Sequence, residues 1–210
     1  MGKKEKSKKI VLGELNALPF GKDNNLFVCL KSGEKRNLKD KKSDKNSFMP
    51  IKITAEQVFL AEPDGKLIPD GQGQQKCDFL IYCQMKPQSC FIELKGENIS
   101  TKEGYNPYSQ ISSTIDFIKK EERLKEIVGQ NVEKHAFIVS PGRQKIPQGV
   151  ELKERILWQK LIQKGAEKKK IKELVHYVKV TKSDRYSKNS QNGQIIRSPK
   201  SPVEIPFVNE

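Results

Sequence analysis

Apolar residues are concentrated in the middle of the chain, in runs whose spacing predicts specific elements. Two runs, 76–83 and 90–96, have the length and the aromatic and β-branched content of strands, and the stretch between them contains Pro87, which favours a hairpin. Asn106-Pro107 is a typical helix start, with the asparagine as cap and the proline in the first turn. Apolar residues then recur at helical spacing: Tyr108, Ile111, Ile115, Ile118, Leu124, Ile127 and Val128.

Weaker patterns flank this middle part. The segment from Thr54 to Gln57 fits a capping box and predicts a short helix that ends at Pro63. The run 136–139 is uninterrupted and of strand length, which predicts a strand inside the sheet. The later runs predict, in order, an amphipathic helix over 150–163 with Leu152, Ile156, Leu157 and Leu161 inward, a basic helix over 166–174 and a strand over 175–180.

The ends of the chain differ from the middle in composition. Residues 1–9 are typical of a basic flexible leader, and residues 183–210 are rich in Ser, Asn, Gln, Pro and Lys, which predicts a disordered tail. Within that tail, 203–208 is an apolar piece that could dock on the domain. Residues 10–182 are expected to form a single domain, and its lysine-rich stretch over 31–47 is predicted to be a mobile loop.

The charge balance favours an acidic, polymeric partner. The chain has 40 Lys and Arg against 26 Asp and Glu, a formal net charge of +14 and a pI near 9.5, enough to attract polyanions at long range. A soluble protein with a lysine-rich surface would show the same balance, so charge alone does not separate the two interpretations.

Neither export nor membrane insertion is expected. The first apolar stretch is interrupted by Glu14 and Asn16, and no apolar run has the length of a membrane span, so the sequence predicts a soluble, cytoplasmic protein. The two histidines, His135 and His176, are expected to have core or surface roles. The cysteines lack paired spacing and are predicted to be packing thiols: Cys29, Cys77, Cys83 and Cys90.

Charged residues interrupt the two strand-like runs of the predicted hairpin. Asp78 lies in the first run, and Glu93 and Lys95 lie near the end of the second. An ionised side chain among apolar neighbours loses hydration and needs a partner or a metal ion to offset that loss. Two carboxylates and a lysine brought together therefore suggest a hydrolytic metal site.

Hairpin geometry decides whether these three residues meet. Glu93 and Lys95 are two positions apart on one strand and must point the same way. Pairing Tyr82 with Ser89 sets Asp78 opposite Glu93, and a register shifted by two residues sets it opposite Lys95. Either register places all three side chains on one face, whereas a shift of one residue would separate them.

The order of elements and the placement of these charges resemble the core of the PD-(D/E)xK nuclease superfamily, which includes many restriction endonucleases. The resemblance covers roughly residues 54–140, and the motif falls on Asp78, Glu93 and Lys95. It implies an α/β, restriction-endonuclease-like core, in which helices flank a central mixed β-sheet in α-β-β-β-α-β order.

The resemblance also implies a chemistry. Asp78, Glu93 and the backbone carbonyl of Leu94 would hold Mg²⁺, with Mn²⁺ as a substitute, because carboxylate and carbonyl oxygens are hard ligands that suit these ions. Lys95 would orient or deprotonate the attacking water, or neutralise charge that develops on the phosphate.

The first acid has a competitor. The literal Pro-Asp pair of the superfamily name occurs as Pro69-Asp70. We prefer Asp78, because it lies in a run that can pair with the next one, whereas Asp70 lies among Gly, Gln and Pro residues where a carboxylate is solvated. An acid from the predicted first helix and a polar residue from the following helix could support the site, and by placement these are Glu56 or Glu62, and Gln110.

Basic residues outside the motif are candidates for nucleic-acid contacts, although a simple turn and a solvated lysine face explain them equally well. The candidates are Arg143, Lys168, Lys169, Lys170 and Lys172. The predicted function is Mg²⁺-dependent hydrolysis of DNA phosphodiester bonds by an endonuclease of restriction, defence, phage or repair type, with RNA as substrate and a homodimer left open. The alternative is a basic nucleic-acid-binding or scaffold protein on the same fold, without turnover.

Overall fold

The protein is a mixed α/β structure with two sheets and two α-helices within the residues that the computed structural model describes. These residues are 26–39, 47–64, 67–69, 75–96, 106–141, 151–162, 173–181 and 194–208.

The larger sheet has seven strands and changes from antiparallel to parallel pairing in its middle. In spatial order its strands are β1 (Phe27–Leu30), β4 (Val58–Ala61), β5 (Phe79–Cys83), β6 (Gln88–Leu94), β7 (Glu133–Ser140), β8 (Val175–Val180) and β9 (Gln194–Arg197). Pairing is antiparallel from β1 to β6 and parallel from β6 to β9. The change follows from connection length, because a tight turn joins β5 to β6 but a helical crossover joins β6 to β7.

Helices α1 (Pro107–Lys120) and α2 (Glu151–Leu161) cover one face of this sheet. The predicted start of α1 is confirmed: the Asn106 side chain accepts hydrogen bonds from the backbone N–H groups of Tyr108 and Ser109. One apolar cluster joins the helices to the sheet, and its fully buried members include Phe91, Tyr108, Ile111, Ile115, Ile118 and Ile138.

A second sheet of three strands covers the other face. Its spatial order is β10 (Val203–Ile205), β3 (Phe48–Ile53) and β2 (Lys35–Lys39). The cluster between the two sheets includes Met49, Ile51, Ile92 and Phe137. Strands β6 and β7 are therefore buried on both faces, which explains the uninterrupted apolar run that predicted a strand over 136–139.

The helix predicted from the capping box is wrong. Thr54 to Gln57 form a bend in which Gln57 has a φ of 54°, and strand β4 begins at Val58. All four residues of β4 are buried, as in a strand covered on both faces. Local capping propensity was overridden here by pairing with β5, a contact that the capping pattern does not encode.

Two segments predicted to lack regular structure contain strands. The presumed loop over 31–47 contains β2, which pairs antiparallel with β3 and turns Leu38 into the core. The presumed tail over 183–210 contains β9 and β10, so that prediction is also wrong for these strands. The expected docking of the apolar piece is confirmed, since Val203, Ile205 and Phe207 are buried.

Helix α2 confirms the element predicted over 150–163 but not its full apolar face. Leu157 and Leu161 are buried as expected, whereas Leu152 and Ile156 are 69% and 39% exposed. The last apolar residues assigned to α1 belong instead to a 3₁₀ turn, Lys125–Val128, which leads into β7. Strand β8 is confirmed over Val175–Val180.

Candidate metal and catalytic site

Strands β5 and β6 bring the charged residues of the hairpin together. They pair in the register that joins Tyr82 to Ser89, which is one of the two registers predicted. Continuing that register beyond the start of β5 sets Asp78 opposite Glu93. Phe91 packs against α1, so Glu93, two residues later, points to the same helix-covered face.

Asp78 is anchored to the strand that it faces. Its Oδ2 accepts a hydrogen bond from the backbone N–H of Leu94 at 2.7 Å. The residue is only partly exposed. Because the N–H and C=O of one strand residue point to the same side, the Leu94 carbonyl also faces the Asp78 side of β6.

Glu93 is a buried carboxylate with one engaged oxygen. Its side chain is 2% exposed, and Oε1 lies 2.5 Å from Lys95 Nζ. Oε2 is buried and has no hydrogen-bond partner among the described residues. Burial, followed by the negative charge of Asp78, raises the pKa of Glu93 to about 8, against the opposing effects of Lys95 and of a hydrogen bond from the backbone N–H of Asp78.

Lys95 is held from three directions. Besides its contact with Glu93, Nζ donates to Gln110 Oε1 at 2.5 Å, and its backbone N–H donates to the carbonyl of Val139 in β7 at 2.7 Å. The side chain is 7% exposed. Gln110, predicted as a supporting residue, thus contacts the motif lysine directly from the start of α1.

The donor set fits a hard divalent cation that keeps several waters. Mg²⁺ in proteins takes one or two carboxylates beside waters and substrate phosphate, and Asp78 and Glu93 supply two. The buried Oε2 of Glu93 is the position where an additional ligand bond would satisfy an otherwise unpartnered acceptor. Within the described residues, no group of three or more His, Cys, Asp or Glu side chains is placed to hold a metal ion, either here or elsewhere, so the candidate site has two carboxylates only.

The two acids proposed from the first helix lie at opposite ends of β5. Glu56 does not reach the site, because the neighbouring Gln57 carbonyl accepts from the backbone N–H of Gln84, just after the far end of β5. Glu62 follows Ala61, which pairs with Leu80, and so lies at the Asp78 end. Several other predicted positions lie outside the described residues: the leader 1–9, Asp70, Arg143, Lys168, Lys169, Lys170 and Lys172.

Thr114 is a residue of this region that the sequence patterns did not identify. Its Oγ1 accepts a hydrogen bond from the backbone N–H of Cys77 at 2.9 Å and donates to the Gln110 carbonyl at 2.9 Å. Gln110 Nε2 donates to the Lys76 carbonyl at 3.3 Å. The available signal was the spacing, since Gln110 and Thr114 are polar residues one turn apart on the apolar face of α1.

A second buried polar cluster occupies the opposite face and the opposite end of the parallel strands. His135 Nδ1 and His176 Nε2 are 2.9 Å apart, and His135 Nε2 lies 3.1 Å from Glu133 Oε1. Gln88 Nε2 bonds both Glu133 Oε2, at 3.2 Å, and the Phe207 carbonyl, at 2.8 Å. The Phe207 ring closes the cluster, with its centroid 4.5 Å from that of His176. Core or surface roles were expected for both histidines, and their burial shows that they lie in the core.

No described helix is both long and apolar enough to cross a membrane. Comparisons of the chain with protein families, with curated proteins and with solved structures find no match.

Proposed function

We propose that the protein is a Mg²⁺-dependent deoxyribonuclease that hydrolyses DNA phosphodiester bonds at Asp78, Glu93 and Lys95. The observation that carries the proposal is the buried Glu93 carboxylate, whose Oε2 has no partner among the described residues although Asp78 and Lys95 stand beside it. A carboxylate kept in such surroundings for structural reasons alone would be costly, because buried acceptors are normally satisfied.

The order of elements supports a restriction-endonuclease-like core. Strands β4, β5 and β6, helix α1 and strand β7 follow one another in the β-β-β-α-β order that the PD-(D/E)xK resemblance implies. The acid stands where β5 begins and the Glu-x-Lys segment where β6 ends. The departure is in the first element: the segment expected to form the first helix is strand β4, which pairs with β1 and β5.

Asp78 and Glu93 Oε2 would hold the ion, with the Leu94 carbonyl as a further ligand. When bound, Mg²⁺ supplies Lewis-acid chemistry: it polarises the scissile phosphodiester and lowers the pKa of an attacking water. Asp78 keeps its orientation through the hydrogen bond from the Leu94 N–H.

Lys95 would act as a fixed cation beside the reacting phosphate. An ammonium group has three N–H donors, and Glu93 and Gln110 accept two of them. The third is then directed to a phosphate oxygen or to the attacking water. Since the two acceptors set the position of Nζ before substrate arrives, charge stabilisation needs little reorganisation.

The substrate assignment rests on charge. A net charge of +14 attracts a polyanion, and phosphate is the group that two hard-ligand carboxylates and a lysine suit best. We propose a DNA backbone as that polyanion. RNA is tested alongside it.

The proposal is tested by incubating the purified protein with supercoiled plasmid, linear DNA and RNA, with Mg²⁺ or with EDTA. We expect Mg²⁺-dependent cutting of DNA that falls at least about 100-fold in Asp78→Ala and in Lys95→Ala. Glu133→Gln, which removes a carboxylate from the other cluster, is the matched control and should cut like the wild type.

Three results would change the account. Salt-sensitive DNA binding without cutting under any divalent ion would favour the basic binding protein without turnover. Loss of cutting in Asp70→Ala but not in Asp78→Ala would transfer the role of first acid to Asp70. Cutting of RNA alone would replace the substrate.

A further inference from the structure

The peptide that leads into Asp78 is tied to helix α1 by two hydrogen bonds. The backbone N–H of Cys77 donates to Thr114 Oγ1 at 2.9 Å, and the Lys76 carbonyl accepts from Gln110 Nε2 at 3.3 Å. Both helix residues are on consecutive turns, and Thr114 is fully buried. Helix α1 thus fixes the two residues that immediately precede Asp78.

The same two helix residues are coupled to the other half of the motif. The Thr114 hydroxyl donates its proton to the Gln110 carbonyl at 2.9 Å. Its oxygen therefore acts as the acceptor for the Cys77 N–H. Gln110 Oε1 accepts from Lys95 Nζ. Residues 76–77 and Lys95 therefore share one support, the first two turns of α1.

We infer that Thr114 is a positioning residue for the divalent metal: by accepting the Cys77 N–H it sets where the Asp78 carboxylate stands relative to Glu93. The inference rests on the proposed function, because it assumes that these carboxylates bind a metal ion. Beyond the proposed function, the inference assigns the position of the metal ligand to a hydroxyl of α1 that contacts neither the ion nor the substrate.

The energetic reason lies in the two contacts that flank Asp78. Its side chain is fixed by the Leu94 N–H and its preceding peptide by Thr114. Removing the hydroxyl leaves a buried N–H without its acceptor, and the chain must move to find another. Because outer-shell partners of metal ligands typically change metal affinity by 10–100-fold when removed, a shift at Cys77 should be visible in metal binding.

The test compares three variants of the full-length protein. Thr114→Val keeps the shape but lacks the hydroxyl, and Thr114→Ser keeps the hydroxyl. Ser112→Ala is the matched control: Ser112 is also a buried hydroxyl residue of α1, and its Oγ has no hydrogen-bond partner among the described residues. The Kd for Mn²⁺ is measured calorimetrically without nucleic acid, and amide exchange at Cys77 is measured by NMR.

We expect Thr114→Val to raise the Mn²⁺ Kd about tenfold and to speed exchange of the Cys77 amide, while Thr114→Ser and Ser112→Ala stay within about twofold of the wild type. In cutting assays, excess Mg²⁺ should restore the rate of Thr114→Val, which general destabilisation would not do.

Each contrary result has a distinct meaning. Wild-type Mn²⁺ affinity in Thr114→Val would overturn this inference and leave the proposed function intact. Equal weakening in Ser112→Ala would also overturn it, because any lost hydroxyl on α1 would then suffice. A wild-type protein that binds no Mn²⁺ would overturn both.

Discussion

The two buried polar clusters of the large sheet each hold one buried side-chain atom without a hydrogen bond among the described residues, Glu93 Oε2 and His135 Nε2. The histidine atom nevertheless has a carboxylate oxygen close by, Glu133 Oε1 at 3.1 Å. At the carboxyl end of β6, Glu93 leaves Oε2 without a partner among the described residues, and its pKa is raised. At the amino ends of β6 and β7, Gln88 pairs with both Glu133 and the backbone of Phe207. There the pKa of Glu133 is lowered to about 2, first by its contact with His135.

Under the proposed function, the cluster around Glu93 binds the metal ion and the cluster around His135 holds the fold together. The cluster around His135 joins four elements, β6, β7, β8 and the segment after β10, and aromatic rings close over it. It lies on the face covered by the small sheet. The cluster around Glu93 lies on the helix-covered face, at the carboxyl end of β6. Burial of charge alone would not have distinguished them.

The largest expected effect on stability is that of replacing the glutamine of the cluster around His135 with alanine. Gln88 bonds Phe207 in both directions, Nε2 to O at 2.8 Å and N to Oε1 at 2.6 Å, so Gln88→Ala leaves two buried backbone groups unsatisfied. We expect a loss of about 2–4 kcal/mol in the free energy of unfolding, measured with urea. Gln110→Ala, at a partly exposed residue, should cost about 1 kcal/mol or less.

Cutting activity should be affected more by Gln110→Ala than by Gln88→Ala. Gln110→Ala frees Lys95 Nζ and should slow Mg²⁺-dependent cutting, whereas Gln88→Ala should cut normally below its unfolding temperature. If Gln88→Ala were the variant that lost cutting while still folded, the division between a structural and a functional cluster would fail.

The pH dependence of stability provides a smaller effect with opposite signs. In metal-free protein, the pKa of Glu93 is raised to about 8, so its contribution is present below about pH 4.5 and is lost as pH rises towards 8. Burial lowers the pKa of His176 to about 3, so its contribution is present above about pH 6.5 and is lost as pH falls towards 3.

Two neutral variants isolate these contributions. With EDTA present, Glu93→Gln should gain stability relative to the wild type between pH 5 and 8. His176→Gln, which keeps a polar group beside His135, should lose less stability than the wild type between pH 6.5 and 5. Urea unfolding at these pH values measures both differences. Parallel curves for wild type and Glu93→Gln would contradict the raised pKa of Glu93 in the folded protein.

The meeting of Asp78, Glu93 and Lys95 was predictable because it depends on local geometry. The alternation of β6 forces Glu93 and Lys95 to one side, and a tight turn limits the registers that can bring Asp78 there. The start of α1 was equally local, since Asn106 and Pro107 define it. These features depend on residues close in sequence, and the patterns contain them.

The missed features depend on contacts between distant residues. His135 meets His176 across 41 positions, and only the parallel pairing of β7 with β8 brings them together. Strand β10 forms because it pairs with β3, and no residue close to β10 in sequence indicates that pairing. At β4, local capping propensity favoured a helix, and pairing on both edges prevailed.

The most direct test of the central claim is calorimetric titration of Mn²⁺ into the metal-free protein, into Glu93→Gln and into Glu133→Gln. If the unpartnered oxygen of Glu93 is a metal-ligand position, the wild type and Glu133→Gln bind alike, and Glu93→Gln binds at least about 100-fold more weakly. Unchanged Mn²⁺ affinity in Glu93→Gln, or its loss in Glu133→Gln instead, would contradict the assignment of the site.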